Sequence, residues 1–173
     1  MLSLGTRVSS ACSALLLSFV CWSSTGTDDI LVQLQANDLK IVSTGEKIYQ
    51  THCAVCHGAQ LEGQPNWRTR DSNGLLPAPP HDASGHTWHH ADDLLFEITK
   101  YGPAVVVGDE DLRSNMPAFK GIISDEEIIA VLSFIKNTWP EEQRQWQEEV
   151  NGSQAEGLLP TKKSSTLIDK LLK

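Results

Sequence analysis

The residues with the most distinctive chemistry lie together in one short stretch, Cys53-Ala54-Val55-Cys56-His57. Positions three apart share a helix face, so two thiols would point the same way on a helix, and an imidazole follows the second thiol directly. A Cys-x-x-Cys pair can close a disulfide, form half of a metal site or attach a haem. The added histidine favours haem, because the thiols can meet the two vinyl groups of one porphyrin edge while the imidazole lies under the iron.

Two other interpretations of the cysteines stay open. Thiol–disulfide exchange normally uses a βαβ context, and the one β-prone run here, 104–107, is isolated. A structural zinc site needs four ligands, and the nearest candidates are His81, His86, His89 and His90. Zinc therefore remains an alternative, and disulfide exchange is a more distant one.

Helices must position these residues, and the sequence contains clear helical signals. The motif ends a segment that can start at Asn37, Asp38 or Ser43, and the capping box at Ser124 and Glu127 opens the clearest helix. Predicted helices cover 38–56, 91–100, 124–139 and 141–150, the last anchored by Trp146. Residues 27–37 are predicted to be a polar leader, and 60–85 and 104–119 to be loops. The fold class predicted is all-α.

Three ordered segments together resemble class I (monohaem) c-type cytochromes. The first is Gly45-x-x-x-Tyr49-x-x-x-Cys53-Ala54-x-Cys56-His57-Gly58, which is similar to the family's first helix. The second, Asn115-Met116-Pro117-Ala118-Phe119, resembles its distal methionine loop, and 128–139 resembles its closing helix. The resemblance implies a small helical fold around one haem c, bound covalently through Cys53 and Cys56, with His57 on the iron. It also implies transfer of single electrons.

Met116 is the candidate for the second iron ligand. The chain has two methionines, and Met1 lies in a predicted export signal, so Met116 is the one expected to remain. Asn115 and Pro117 flank it, which suits a rigid loop better than a core segment. With His57 and Met116 both on the iron there would be no open position for a substrate, so we expect an electron carrier and not an enzyme.

The histidine cluster at residues 81–90 is the main competitor. Any of its four histidines could ligate the iron and give a bis-histidine haem, and the cluster could also bind copper or zinc. The plainer interpretation is that these residues and Trp88 line the haem pocket or cap the next helix. Because His89 and His90 are adjacent in sequence, they would point apart on a helix.

The family resemblance also implies supporting residues. A carbonyl from a proline-containing loop orients the ligating histidine in this family, and Pro79 or Pro80 is the candidate here, with Pro77 as an alternative. Donors available to the haem carboxylates are Trp67, Trp88, Tyr101 and Arg113. Contact between the first and last helices is expected at Gly45, Tyr49, Val131 and Phe134.

The formal charge of -8, from 14 basic and 22 acidic residues, bears on partners. Nucleic acid is an unfavourable partner for such a chain. A redox protein with a basic docking surface is the better expectation.

Residues 1–26 predict an export signal, because Arg7 is the one charge before Asp28 and an apolar run follows it. Serines and threonines interrupt 8–27, so a retained membrane anchor is the minor alternative. Cleavage would remove Cys12 and Cys21. We therefore expect a periplasmic protein with a cytochrome domain at 38–140 and a charged helix and mobile tail at 141–173.

Three functions stay open on the sequence alone. The first is an electron carrier, either soluble or tethered. The second is the haem subunit of a larger oxidoreductase or respiratory complex. The third is a sensor that uses an open haem or a metal in the histidine cluster.

Overall fold

The computed structural model describes residues 32–108 and 113–155, and these form helices joined by loops. The helices are α1 Leu39–His52, α2 Ala54–His57, a 3₁₀ turn Thr87–His89, α3 Asp92–Tyr101, α4 Pro103–Val107, α5 Asp125–Asn137 and α6 Glu141–Ala155. The described ranges contain no strand, only an isolated bridge between Lys120 and Ile123. The predicted all-α class is confirmed. The predicted signal at 1–26 and the end of the predicted tail lie outside the described residues.

Side-chain caps fix where the two principal helices begin. The Asp38 carboxylate accepts hydrogen bonds from the backbone N–H groups of Lys40 and Ile41, at 2.9 and 3.3 Å. Asp38 is therefore the N-cap of α1, and the alternative start at Ser43 is wrong because that residue lies inside the helix. At α5, Ser124 and Glu127 form the predicted capping box in both directions.

The sequence prediction was wrong for α4, which occupies part of the expected loop 104–119. Pro103 stands at the first helical position, where its fixed φ favours the helix and its missing N–H costs nothing. Gly108 then ends the helix in the left-handed conformation, with φ 71°. The proline at the start and the glycine at the end thus outweigh the β preference of the valines between these two residues.

Helices α1 and α5 cross at a very short distance. A Cβ added to Gly45 would lie 1.9 Å from the backbone oxygen of Ala130 and 2.9 Å from Cβ of Phe134. Next to this point the Tyr49 and Phe134 rings lie 5.5 Å apart, and Val131 is buried. The expected helix contact is confirmed, and only glycine permits it at position 45.

The segment before α1 is also part of the core, so the expected polar leader is wrong at residues 34 and 36. Leu34 and Ala36 are buried. The backbone N–H of Leu34 donates to Oδ2 of Asp92 at 2.8 Å, and Nδ2 of Asn137 donates to the Ala36 carbonyl at 2.8 Å. These hydrogen bonds fasten the segment to α3 and α5.

Helix α6 exists as predicted but runs further, to Ala155. The predicted anchor Trp146 contacts the Trp88 and His89 rings, but it is not the main buried residue of the helix. Trp146 is 49% exposed, whereas Gln147 is fully buried and donates from Nε2 to the His90 carbonyl at 3.1 Å. Buried Lys136 of α5 pairs with Glu148 of α6 and lies 3.6 Å from Asp92. Polar groups share in anchoring this helix because part of it packs on the His90 carbonyl, just before α3. None of the described helices is long and apolar enough to cross a membrane.

Gly45→Ala should destabilise the protein by about 3 kcal/mol, because its methyl group has no room beside the Ala130 carbonyl. Denaturant titration of the purified holoprotein measures this change. The matched control is Gly152→Ala in α6, where an added Cβ meets nothing within 4 Å. Alanine there should be neutral or stabilise by up to about 1 kcal/mol. Equal stability of the two variants would contradict the close crossing.

Candidate functional site

The two cysteines lie at the junction of α1 and α2. Cys53 closes α1 and packs against the core, whereas Cys56 is exposed, and both thiols are free. Between them Val55 is 84% exposed, so this side of the turn faces outward. The two free thiols therefore lie on one short turn, with Cys53 partly buried and Cys56 at the surface.

The Cys53 thiol is not poised for disulfide exchange. Burial, and secondarily the Cys56 thiol, raise the pKa of Cys53 to about 11. Reactive thiols need the opposite shift, because the thiolate is the nucleophile. The raised pKa therefore argues against a thioredoxin-like role.

His57 is buried, and one of its ring nitrogens has a fixed partner. Its Nδ1 lies 2.9 Å from the carbonyl oxygen of Pro79. A carbonyl can only accept, so Nδ1–H donates and Nε2 keeps its lone pair. Burial lowers the pKa of His57, while the hydrogen bond to Pro79 opposes part of that shift. The ring is therefore a neutral imidazole with one nitrogen free to bind a metal.

Backbone contacts hold the Pro79 carbonyl in place. Gly63 has φ 67°, and a Cβ there would lie 2.4 Å from the Pro80 nitrogen. A Cβ at Gly85 would lie 2.1 Å from the Pro80 oxygen. Both glycines let the chain close around the proline pair. Sequence reasoning missed them, although two glycines flanking a proline-rich loop were a usable signal.

Tyr49 ties α1 to the residue that follows His57. Its hydroxyl donates to the Gly58 carbonyl at 2.8 Å, and the Gly63 N–H donates to the His57 carbonyl at 2.7 Å. The backbone on both sides of the imidazole is therefore fixed by the helix core.

His81 packs directly on His57, which the sequence did not predict. The rings are nearly parallel, at 22°, with centroids 4.0 Å apart. The His81 Nδ1 lies 2.8 Å from Oγ1 of Thr87, and its carbonyl accepts from Nε1 of Trp139 at 2.7 Å. Burial, then the neighbouring His57 and His86, place the pKa of His81 well below its ordinary value. A neutral, immobilised ring thus supports one face of His57.

The other three histidines of the cluster at 81–90 pair with tryptophans or with each other. His86 stacks on Trp67 at 5.4 Å, and His89 stacks on Trp88 at 3.7 Å. His86 and His90 lie 5.4 Å apart and nearly perpendicular. Within residues 32–108 and 113–155, no three histidine, cysteine or acidic side chains are grouped so that they could hold a metal ion. The copper or zinc interpretation of the cluster therefore gains no support.

Met116 lies in the loop between α4 and α5, partly buried against the core that Cys53 also contacts. Its backbone oxygen would be 4.0 Å from a Cβ on Gly102, so the loop passes the end of α3. The Phe119 N–H donates to the Thr99 carbonyl at 3.1 Å and holds the loop there.

The comparison with protein-family models matches residues 42–139 to the cytochrome c family. The chain belongs to the cytochrome c family. The searches of curated proteins and of solved structures gave no significant match. This cytochrome therefore has the family's all-α fold and its covalently attached haem c, as the resemblance to class I members implied.

The local chemistry fits a haem. Two free thiols adjoin an imidazole with one unused nitrogen. Of the expected carboxylate donors, Arg113 donates to the Asn73 carbonyl. Trp67 stacks on His86, and the Arg68 guanidinium lies over the Trp67 ring, 4.1 Å from its centroid. Trp88 differs, because its Nε1 is buried and has no hydrogen-bond partner in the described part of the chain. Such an orphaned donor indicates a missing acceptor.

Tyr49→Phe should lower the free energy of unfolding by about 1 kcal/mol, because it removes the hydroxyl from the Gly58 carbonyl. The effect should depend on pH. Burial raises the pKa of Tyr49 above its ordinary 10.0. Since the folded pKa exceeds the unfolded one, the stabilisation is complete below pH 10.0 and is lost as the pH rises beyond it.

Unfolding titrations of the holoprotein below and above pH 10.0 test whether Tyr49 causes this loss of stability. The wild-type protein should lose stability more steeply than Tyr49→Phe. Parallel loss in both proteins would contradict the assignment of the shift to Tyr49.

Proposed function

We propose that this cytochrome is an exported, monohaem electron carrier with His57 and Met116 as axial ligands. Members of the family transfer electrons through haem, and this coarse function applies to the chain. Cys53 and Cys56 would form the thioether bonds. The observation that best supports the proposal is the His57 ring, which is held at Nδ1 by Pro79 and has Nε2 free. When bound, the haem supplies an iron that gains or loses one electron.

The protein's own residues would hold the iron ligands in one geometry during this change. Pro79 keeps the His57 tautomer fixed, and His81 covers one face of the ring. The Trp88 N–H is available to a haem carboxylate. Iron ligands that are held rigidly lower the reorganisation energy between the two oxidation states, which suits an electron carrier.

The position of His81 favours Met116 as the second ligand. If His57 and His81 were both to hold one metal ion between them, their ring centroids would be roughly 6 Å apart, because each metal–nitrogen bond would be about 2.0 Å long. The His57 and His81 centroids are instead 4.0 Å apart and their rings are stacked. Met116, in a loop held against α3, is the better candidate.

Met116→Ala should abolish the far-red iron–sulfur absorption band and lower the midpoint potential, because a thioether ligand favours Fe(II). Redox-monitored visible spectra of the purified holoprotein measure both quantities. Ile122→Ala is a suitable control, since Ile122 is 58% exposed and close by in sequence. If Met116→Ala keeps both the band and the potential, the ligand assignment is wrong.

The partner of an electron carrier with this charge should present a basic docking surface. The formal net charge is -8, so a cationic reagent is attracted and an anionic one repelled. In stopped-flow experiments, oxidation by a cationic cobalt(III) complex should slow as salt is added. Oxidation by ferricyanide should accelerate over the same range. The same trend with both reagents would argue against electrostatic steering.

Export is proposed from residues 1–26 alone, and N-terminal sequencing of the purified protein tests it.

The second candidate function is a haem c subunit of a larger oxidoreductase. The observation that favours it is α6, which lies outside the family segment 42–139 and presents a half-exposed tryptophan. Co-purification with a larger complex would distinguish this role from that of a free carrier.

A further inference from the structure

Helix α6 presents an exposed ridge made of Glu142, Trp146 and Glu149. Residues four before and three after a helical position share its face, so the carboxylates flank the tryptophan. Trp146 is 49% exposed, and both glutamates are exposed. In the described part of the chain, neither glutamate has a hydrogen bond or an ion pair. By contrast, Glu141 pairs with Arg144 and Glu148 with Lys136.

The inner side of Trp146 rests on other aromatic rings. Trp88 lies at 6.4 Å and perpendicular to it, and His89 lies at 6.1 Å. Trp88 and His89 are themselves stacked at 3.7 Å. Rings that are already packed lose little conformational entropy when a partner covers them, which is a property of interface anchors.

The ridge is joined to the haem site by a short series of contacts. Trp88 follows Thr87, whose Oγ1 is 2.8 Å from Nδ1 of His81. The His81 ring then stacks on His57 at 4.0 Å. A partner seated on Trp146 would therefore lie on the side of the molecule that leads to the proposed iron-ligating histidine.

We infer that the ridge Glu142–Trp146–Glu149 is the docking surface for a redox protein with a lysine- or arginine-rich face. The inference rests on the proposed electron-transfer function. Two unpaired carboxylates attract such a face, and the exposed indole can accept a partner cation over its ring. An anionic membrane or a second copy of this acidic ridge would be repelled. One electron passes between the docked protein and the haem: the donor loses it, ferric iron becomes ferrous, and no proton is required.

A lysine-rich peptide carrying a tethered ruthenium(II) bipyridine complex is a defined probe of this surface. Its binding to the ferric holoprotein is measured by luminescence anisotropy, independently of electron transfer. A light flash then lets excited ruthenium(II) give one electron to the ferric haem and become ruthenium(III). The proteins to compare are wild type, Trp146→Ala, Glu149→Lys and the control Glu46→Lys, which makes the same charge change at an exposed position on α1.

At low salt, Trp146→Ala should weaken peptide binding about tenfold and Glu149→Lys about fivefold, with the fast electron-transfer phase reduced in parallel. Glu46→Lys should change binding less than about twofold, since it alters only the net charge. Glu149→Lys disturbs no buried contact, so its result stands even if Trp146→Ala folds poorly. Equal weakening by Glu149→Lys and Glu46→Lys would overturn the docking surface.

A small cationic ruthenium complex without the peptide separates this inference from the proposed function. It should reduce the haem at similar rates in all four proteins. If the small complex reduces the haem normally and peptide binding is the same in wild type, Trp146→Ala and Glu149→Lys, the docking surface alone is overturned. A haem that neither reagent reduces would overturn the electron-carrier function.

Discussion

The close approach of α1 and α5 at Gly45 and the Ala130 carbonyl determines the geometry of the haem site. Because position 45 has no side chain, the next turn of α1 can place Tyr49 against Phe134, where it is fully buried. From there the Tyr49 hydroxyl reaches the Gly58 carbonyl. A crossing even slightly wider would move this hydroxyl away and release the turn that contains the cysteines. The packing of α1 against α5 therefore helps to set the orientation of the His57 imidazole.

The other half of that orientation comes from a segment without regular structure. The proline pair offers a carbonyl to His57, and its position depends on backbone contacts at Gly63 and Gly85, where no side chain would fit. His81, two residues after Pro79, then covers the ring of His57. Since a loop has no hydrogen-bond ladder of its own, close contacts and glycines provide the rigidity that a helix would otherwise give. The His57 imidazole is therefore held from two directions, by a helix core and by a loop.

The sequence was sufficient for features that depend on local signals or on an ordered motif. The capping box at Ser124, the haem motif and the glycine at the helix crossing could all be identified from residue types and spacing. The stacking of His81 on His57 could not be identified in this way, because it depends on how the loop between these two residues folds back on itself. Helix α4 was missed because its valines indicate a strand, while the proline at its first position decides the outcome.

Helix α6 shows why one aromatic residue in a charged segment was an incomplete guide to how the helix packs. The sequence suggested Trp146 as its anchor, since a large aromatic residue among charges is most often buried. Part of the surface beneath α6 is instead polar, formed by the His90 carbonyl and by buried Lys136, which pair with Gln147 and Glu148. Trp146 packs beside it on Trp88 and His89. A buried lysine needs charged or hydrogen-bonding partners, so burying the indole there would have left Lys136 and the carbonyl with fewer of them. The polar contacts therefore leave Trp146 at the edge of the interface, with one side on Trp88 and His89 and the other exposed. The same arrangement that fastens α6 to the cytochrome core thus leaves part of an aromatic side chain at the surface.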